Sequence, residues 1–346
     1  MPISRRHLLL LGALAPLTGC AVTPQWRPVD LDAEPQALAV GPAGPLIGLA
    51  GPRLRGPNGA IPVRPTTGYG REARWAALAT DGVRIVGVGH ATGGAHGNAR
   101  WSVFSGTASV TEREQPFEIF HGEGSGQLVA ATFVGSDPVL IGSWASAAAG
   151  LDVALWLPDG DRWNRRAPSA EALAATSRSL PQAHAAVGGT RLMVVGQLIE
   201  LAPLRTRAVA WTSADPRGDW VRLDLPASGT TTIAEAVAAH DGGWLAAGRS
   251  DDRLVAWRID PDLTTSTLDV PALPASGGVR VAAAGNGELL IVAGDGGTVR
   301  ALRGGPDAWQ SSSPPGRAPL AAGWAASGPL VITAADQHPA RLFALS

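Results

Sequence analysis

Residues 181–226 read PQAHAAVGGTRLMVVGQLIELAPLRTRAVAWTSADPRGDWVRLDLP, and the architecture turns on this stretch. Its turn signals cut it into four short apolar pieces: AHAAV, RLMVVG, RAVAWTS and DWVRLDLP. Gly188-Gly189-Thr190 separates the first two and Ser213–Asp219 the last two. Pieces this rich in β-branched and aromatic residues, bounded by Gly, Asp and Pro, are strands. Four antiparallel strands of this length make one small twisted sheet. Such a sheet keeps two open edges and two apolar faces, so it does not stand alone. The chain must repeat it.

The repeat is present seven times. First strands begin at Gln36, Trp75, Leu128, Gln182, Ala234, Val279 and Pro319. Each is followed, after a Gly- or Asp-bearing turn, by a second: PLIGLAG, VRIVGVG, VLIGSW, RLMVVG, WLAAGR, LLIVAG and PLVITAA. Small residues dominate the first strands, as expected where strands crowd around an axis. Third strands fall at residues 53–55, 99–103, 153–157, 208–212, 254–259, 299–303 and 340–345, and Trp101, Trp156, Trp211 and Trp257 hold one place in four of them. A periodic Trp of this kind packs unit against unit. Fourth strands follow in six units, at 60–65, 107–112, 162–166, 220–225, 264–270 and 309–313. The seventh unit runs out of chain, but Gln25–Asp30 repeats the DWVRLD pattern and supplies its missing strand, which removes the open edge. The expected fold is an all-β, seven-bladed β-propeller of four-stranded antiparallel blades, the last closed by the N-terminal strand. Two longer connections interrupt the rhythm: residues 115–127, and residues 167–180 with a short helix opened by Ser169.

The first twenty residues stand outside that repeat. MPISRRH is a charged n-region, LLLLGALAPLTG an apolar h-region, and Cys20 closes it as the chain's single cysteine. Leu17-Thr18-Gly19-Cys20 resembles the lipobox of bacterial lipoproteins, which implies cleavage before Cys20 and a lipid on its thiol. Ser4-Arg5-Arg6-His7-Leu8-Leu9 also resembles a twin-arginine export signal. The division is then residues 1–19 as signal peptide, 20–25 as lipidated Cys and linker, and 26–346 as one propeller domain. Removing residues 1–19 leaves about 47 residues per blade, a usual length. The implied place is extracytoplasmic, anchored to a cell membrane through Cys20, as a monomer without disulfides. A net charge of −1, with all 28 basic residues arginine, excludes a nucleic-acid binder.

Ser213–Trp220, SADPRGDW, resembles the Asp-box turn of sialidase-like propellers, with Ser213, Asp215 and Trp220 in place and the glycine one position late. Residues 159–163 and 305–309 are weaker echoes. In that family the box is structural: the Asp accepts backbone hydrogen bonds and the Trp packs between sheets, on the face away from the active site. The resemblance therefore implies a propeller more than an enzyme. A sialidase also needs a Tyr–Glu pair, and Tyr69, the sole tyrosine, with Glu72 in the first inter-blade loop is the weak candidate.

With strands alternating in direction, the second-to-third loops and the inter-blade connections share one face, here the long-loop face. The binding face expected there holds Arg71, His90, His96, His121, Arg165, Arg166, Arg205, Asp251 and His338. His90 and His96 in a glycine-rich loop have no fixed metal geometry, so no metal and no cofactor is implied. His184 lies within a first strand and belongs on the channel wall; a hydrogen-bonded core histidine is the plain account of it. Glu112, Glu114, Glu118 and Glu123 read as a solvated polar cluster. The N-terminal strand begins on the opposite, short-turn face, and residues 21–25 reach at most about 18 Å, so that face should lie nearest the membrane. The sequence thus points to a non-catalytic binding or scaffold propeller with a protein or glycan partner, against a sialidase-like glycoside hydrolase. A third reading resembles the propeller lipoproteins that assist outer-membrane protein assembly.

Overall fold

Seven sheets stand in a ring, each built on four antiparallel strands. Blade two carries a fifth, parallel strand at its outer edge, and in every blade but the seventh the four run in sequence order from the axis outward. The computed structural model describes residues 24–93, 97–166, 171–305, 308–335 and 338–346. In chain order, the first strands of blades one to seven are Pro35–Gly41, Arg74–Thr80, Ser125–Val134, Ser179–Val187, Thr232–His240, Val279–Ala283 and Ala318–Ala325. Trp26–Pro28 is the outermost strand of blade seven, antiparallel to Arg341–Leu345 with Trp26 opposite Leu345. Gln25 and Ser346 exchange backbone hydrogen bonds of 3.1 Å each way. The chain thus enters the ring on the short-turn face, and the closure expected from residues 25–30 is the closure observed.

Blade one departs from expectation at its outer edge. Its fourth strand ends at Ile61, and Val63–Arg64 cross over to pair in parallel with Val110–Thr111 of blade two. Pro62 is the cause: it has no N–H for the blade-one ladder, while its carbonyl accepts the Val110 N–H at 2.9 Å. The connection over residues 115–127 contains one helical turn, Phe117–Phe120. The expected helix after residue 167 is a single 3-10 turn, Glu171–Leu173, and the cap assigned to Ser169 lies outside the described residues.

Each joint between blades is an apolar layer, and the third-strand tryptophans fill three of them. Trp156, Trp211 and Trp257 are at most 1% exposed. Each also ties down the connection that leads into its own blade: the indole N–H groups donate to the carbonyls of Ile119 (2.8 Å), Ala172 (2.7 Å) and Pro226 (2.8 Å). A buried indole needs such a partner, and an inter-blade loop needs an anchor; one residue serves both. Trp101 differs, donating instead to Gly126 in the following blade at 3.2 Å. The Ser213–Trp220 turn is likewise structural. Ser213 Oγ lies 2.6 and 2.7 Å from the carbonyls of Asp215 and Asp219, Asp215 accepts the Arg217 N–H at 2.9 Å, and Trp220 is buried between blades three and four.

Candidate functional site: the mouth of the central channel

The inner strands carry a device that repeats around the ring. In blades one, two, three, four, five and seven the register between first and second strands slips by one residue, and in blade three a further slip precedes it, between Ser125 and Leu128. The residue pushed out of the ladder is Gln36, Ala76, Val129, His184, Glu235 or Leu320. A bulge of this kind re-aims one side chain. In blade six, where the pairing is regular, Arg280 holds the equivalent place. All seven border one cavity of about 510 Å³ at the long-loop end of the channel.

Glycine makes the bulges possible. In blades two to five the residue before the bulge pairs with Gly89, Gly142, Gly196 or Gly248 on the second strand. A Cβ on Gly142, Gly196 or Gly248 would strike the carbonyl of Gln127, Gln182 or Ile233 respectively. The displaced strand thus presses on a neighbour that can have no side chain there.

The seven residues divide the mouth. His184, Glu235 and Arg280 come from consecutive blades and form a charged arc, with Arg249 beside them. Arg249 Nε sits 2.9 Å from Glu235 Oε1, and Glu235 Oε2 accepts the Val279 N–H at 2.9 Å. The other Arg249 branch reaches Asp252 at 3.0 Å. Arg280 is fixed by two carbonyls, donating Nε to Leu320 at 2.8 Å and Nη1 to Val279 at 2.7 Å. Its Nη2 makes no hydrogen bond among the described residues. Gln36 repeats the Glu235 arrangement in blade one, accepting the Trp75 N–H at 2.9 Å. Ala76, Val129 and Leu320 complete the mouth as small or apolar wall.

His184 is the exception within the arc. It lines the channel as its strand position implies, but it is not a satisfied core histidine: Nε2 is buried with no partner among the described residues. Burial, then the positive charges of Arg249 and Arg280, push its pKa down to about 4, so it is neutral at pH 7. On the same blade the Oε1 of Gln197 is also buried without a partner, while its Nε2 donates to Gln182 at 2.6 Å.

Below the mouth the polarity ends. Leu38, Leu78, Ala131, Ala186, Val237, Val281 and Ala322, one per blade, border both this cavity and a second one of about 630 Å³ towards the short-turn face. The mouth therefore has a charged arc on one side, an apolar wall on the other and an aliphatic floor.

The described residues expected to form the binding face do not converge on one site. Tyr69 is 41% exposed, and no hydrogen bond joins its hydroxyl to Glu72. Between blades two and three an aromatic group does form. The His90 ring lies 5.2 Å from Trp101, His121 Nε2 accepts the Trp101 N–H at 2.9 Å, and the Arg165 guanidinium stacks 4.0 Å over Trp144. Burial and Arg100 keep His121 below its ordinary pKa, consistent with a neutral acceptor. Arg166 and Arg205 are exposed strand residues. Asp251 is occupied in holding Thr230 and Thr231, and His338 lines a small cleft with Arg341 and Phe343. Cys20 and His96 lie outside the described residues. Among the described residues no group of three His, Cys, Asp or Glu side chains could hold a metal.

Glu112 corrects the sequence reading. It is 5% exposed rather than solvated, and accepts from Thr66 N (2.7 Å), Thr67 N (2.8 Å), Thr67 Oγ1 (2.7 Å) and Ser102 Oγ (2.8 Å). Burial would raise its pKa, but these donors overcome it and hold the carboxylate ionised. Glu112 is the anchor of the first inter-blade loop. Arg71 borders a larger groove, about 670 Å³, on the flank of blade one. There Arg53 already pairs with Asp32 at 3.0 Å and no buried polar atom is left without a partner, so the channel mouth is the better site.

No family model and no curated protein matches the chain. Solved structures do. The computationally designed Ika8 protein is similar over 91% of this chain and 97% of its own, at 11% identity and a TM-score of 0.50. AofleA from Arthrobotrys oligospora is similar over 75% of this chain and 79% of its own, at 12% identity and a TM-score of 0.50. Likeness at this identity concerns the fold, a β-propeller, and no more.

Proposed function

We propose that this is a non-catalytic binding propeller of the bacterial cell envelope, anchored by lipid at Cys20, which takes its ligand or partner on the long-loop face. The observation that carries this reading is the channel mouth, where side chains from separate blades meet around one cavity and His184 Nε2 stays unpartnered. A site built to hold something is a concave, partly apolar pocket with a few convergent polar groups. Catalysis asks for more. Both Glu235 oxygens are committed to Arg249 and the Val279 N–H, and His184 touches no nucleophile. The lipobox-like residues 17–20 support the anchor, and entry of the chain on the short-turn face supports presentation of the mouth away from the membrane.

Photo-crosslinkers at residues 118–124 and 215–218 in intact cells test the face. Partners captured from 118–124 alone are expected; capture from 215–218 alone would reverse the assignment. Release of sugar from envelope or host glycans, abolished by Tyr69→Phe, would replace the reading with a sialidase-like glycoside hydrolase.

A further inference from the structure

We infer that the channel mouth takes a small amphiphilic anion, with its anionic head against Arg280 and His184 and an apolar body against the opposite wall and floor. The inference rests on the binding reading above and names its ligand class. Three observations converge on it. First, the Arg280 guanidinium is held by two carbonyls through Nε and Nη1 while Nη2 is unspent, which pre-orients a cationic N–H donor for an oxyanion. Second, His184 borders the same cavity and, neutral, carries one N–H; Nε2 is enclosed without a partner, so an acceptor seated against the ring would satisfy it. Third, an anion alone would leave Ala76, Val129 and the aliphatic floor beneath them uncovered. A cation meets the opposite field: two arginines face one glutamate at the arc, and the second carboxylate, Asp252, lies outside the cavity lining.

The head could belong to a free acid or to the end of a longer chain, since the recognising chemistry is the same. Calorimetric titration of the purified protein with phenylacetate, phenylacetamide, acetate, phenethylamine and a phenylalanine-terminated peptide separates these. Phenylacetate should bind one per chain, with phenylacetamide and acetate each at least tenfold weaker and phenethylamine silent. A peptide that binds as well as phenylacetate, through a free but not an amidated C-terminus, would identify a chain end as the source. Ala76→Glu sets a carboxylate across the mouth at an exposed position and should weaken phenylacetate at least tenfold with no change in the unfolding curve. Arg280→Gln should also weaken phenylacetate at least tenfold, through loss of the head contact. Equal affinity for phenylacetate and its amide, tighter binding of phenethylamine, or no binding by any probe would overturn the inference. If no probe binds while crosslinkers on the long loops still capture a partner, the ligand class fails and the binding face stands.

Discussion

The wall between blades and the mouth of the channel use the same seven-fold scaffold in opposite ways. In the wall, one position recurs with one residue, as Trp156, Trp211 and Trp257 each fill a joint and bond the connection before it. At the mouth, the equivalent position in seven blades holds Gln, Ala, Val, His, Glu, Arg and Leu, with no residue used twice. A repeated structural task selects a repeated side chain. Where the scaffold offers equivalent places and fills each differently, the requirement comes from something that is not seven-fold symmetric. A ligand is such a thing.

That contrast can be broken most readily in the wall. Trp211→Ala should cost about 4 kcal/mol by urea denaturation, from lost burial and a lost indole bond at a fully buried joint. A loss under about 1 kcal/mol would mean that the joints do not carry the ring. Next comes Glu112→Gln, which removes the charge from a carboxylate serving two backbone amides and three hydroxyls, at about 2–3 kcal/mol near pH 7. The folded pKa lies below the ordinary 4.5, so this stability is full above that value and is lost as pH falls through the folded pKa. The gap between wild type and variant should therefore close on acidification.

His184 gives the mouth its own signature, with the sign set by the neutral form. Unfolded histidine takes a proton near 6.5 and folded His184 only near 4, so acid favours unfolding across that window. Replacement by Gln should remove about 2 kcal/mol of acid sensitivity between pH 6.5 and 4 while changing stability little at pH 8. His90 and His121 shift the same way, so the difference between wild type and variant is the measurement that isolates His184. The smallest effect is expected on the rim. Arg165→Ala should change stability by under about 1 kcal/mol, since its stacking on Trp144 is solvent-facing. A larger loss would move the rim from decoration to structure.

The ring was legible because its causes are local. Strand-length apolar pieces, turn glycines and a recurring third-strand Trp are visible along the chain, and residues 25–30 match the missing edge strand in pattern. The mouth was less so, because a bulge has no pattern of its own. Residues 36, 184, 235 and 280 become neighbours only when blades close into a circle, and the first-strand Ala-rich background hides them. One signal was present: the glycine midway along second strands such as RLMVVG and VLIGSW marks where the inner strand is displaced. Glu112 misled for the opposite reason. Its acidic neighbours Glu114, Glu118 and Glu123 are exposed, and nothing in the run distinguishes the one that turns inward.

The clasp between Trp26–Pro28 and Arg341–Leu345 also fixes how the molecule meets force. A pull directed along Trp26–Pro28 acts along the length of the pairing. The ladder is then loaded in shear, with its bonds strained together rather than peeled one after another. The same three-residue pairing would open readily if it were drawn sideways, away from the rim. The edge that closes the ring thus resists load along its strands far better than load across them.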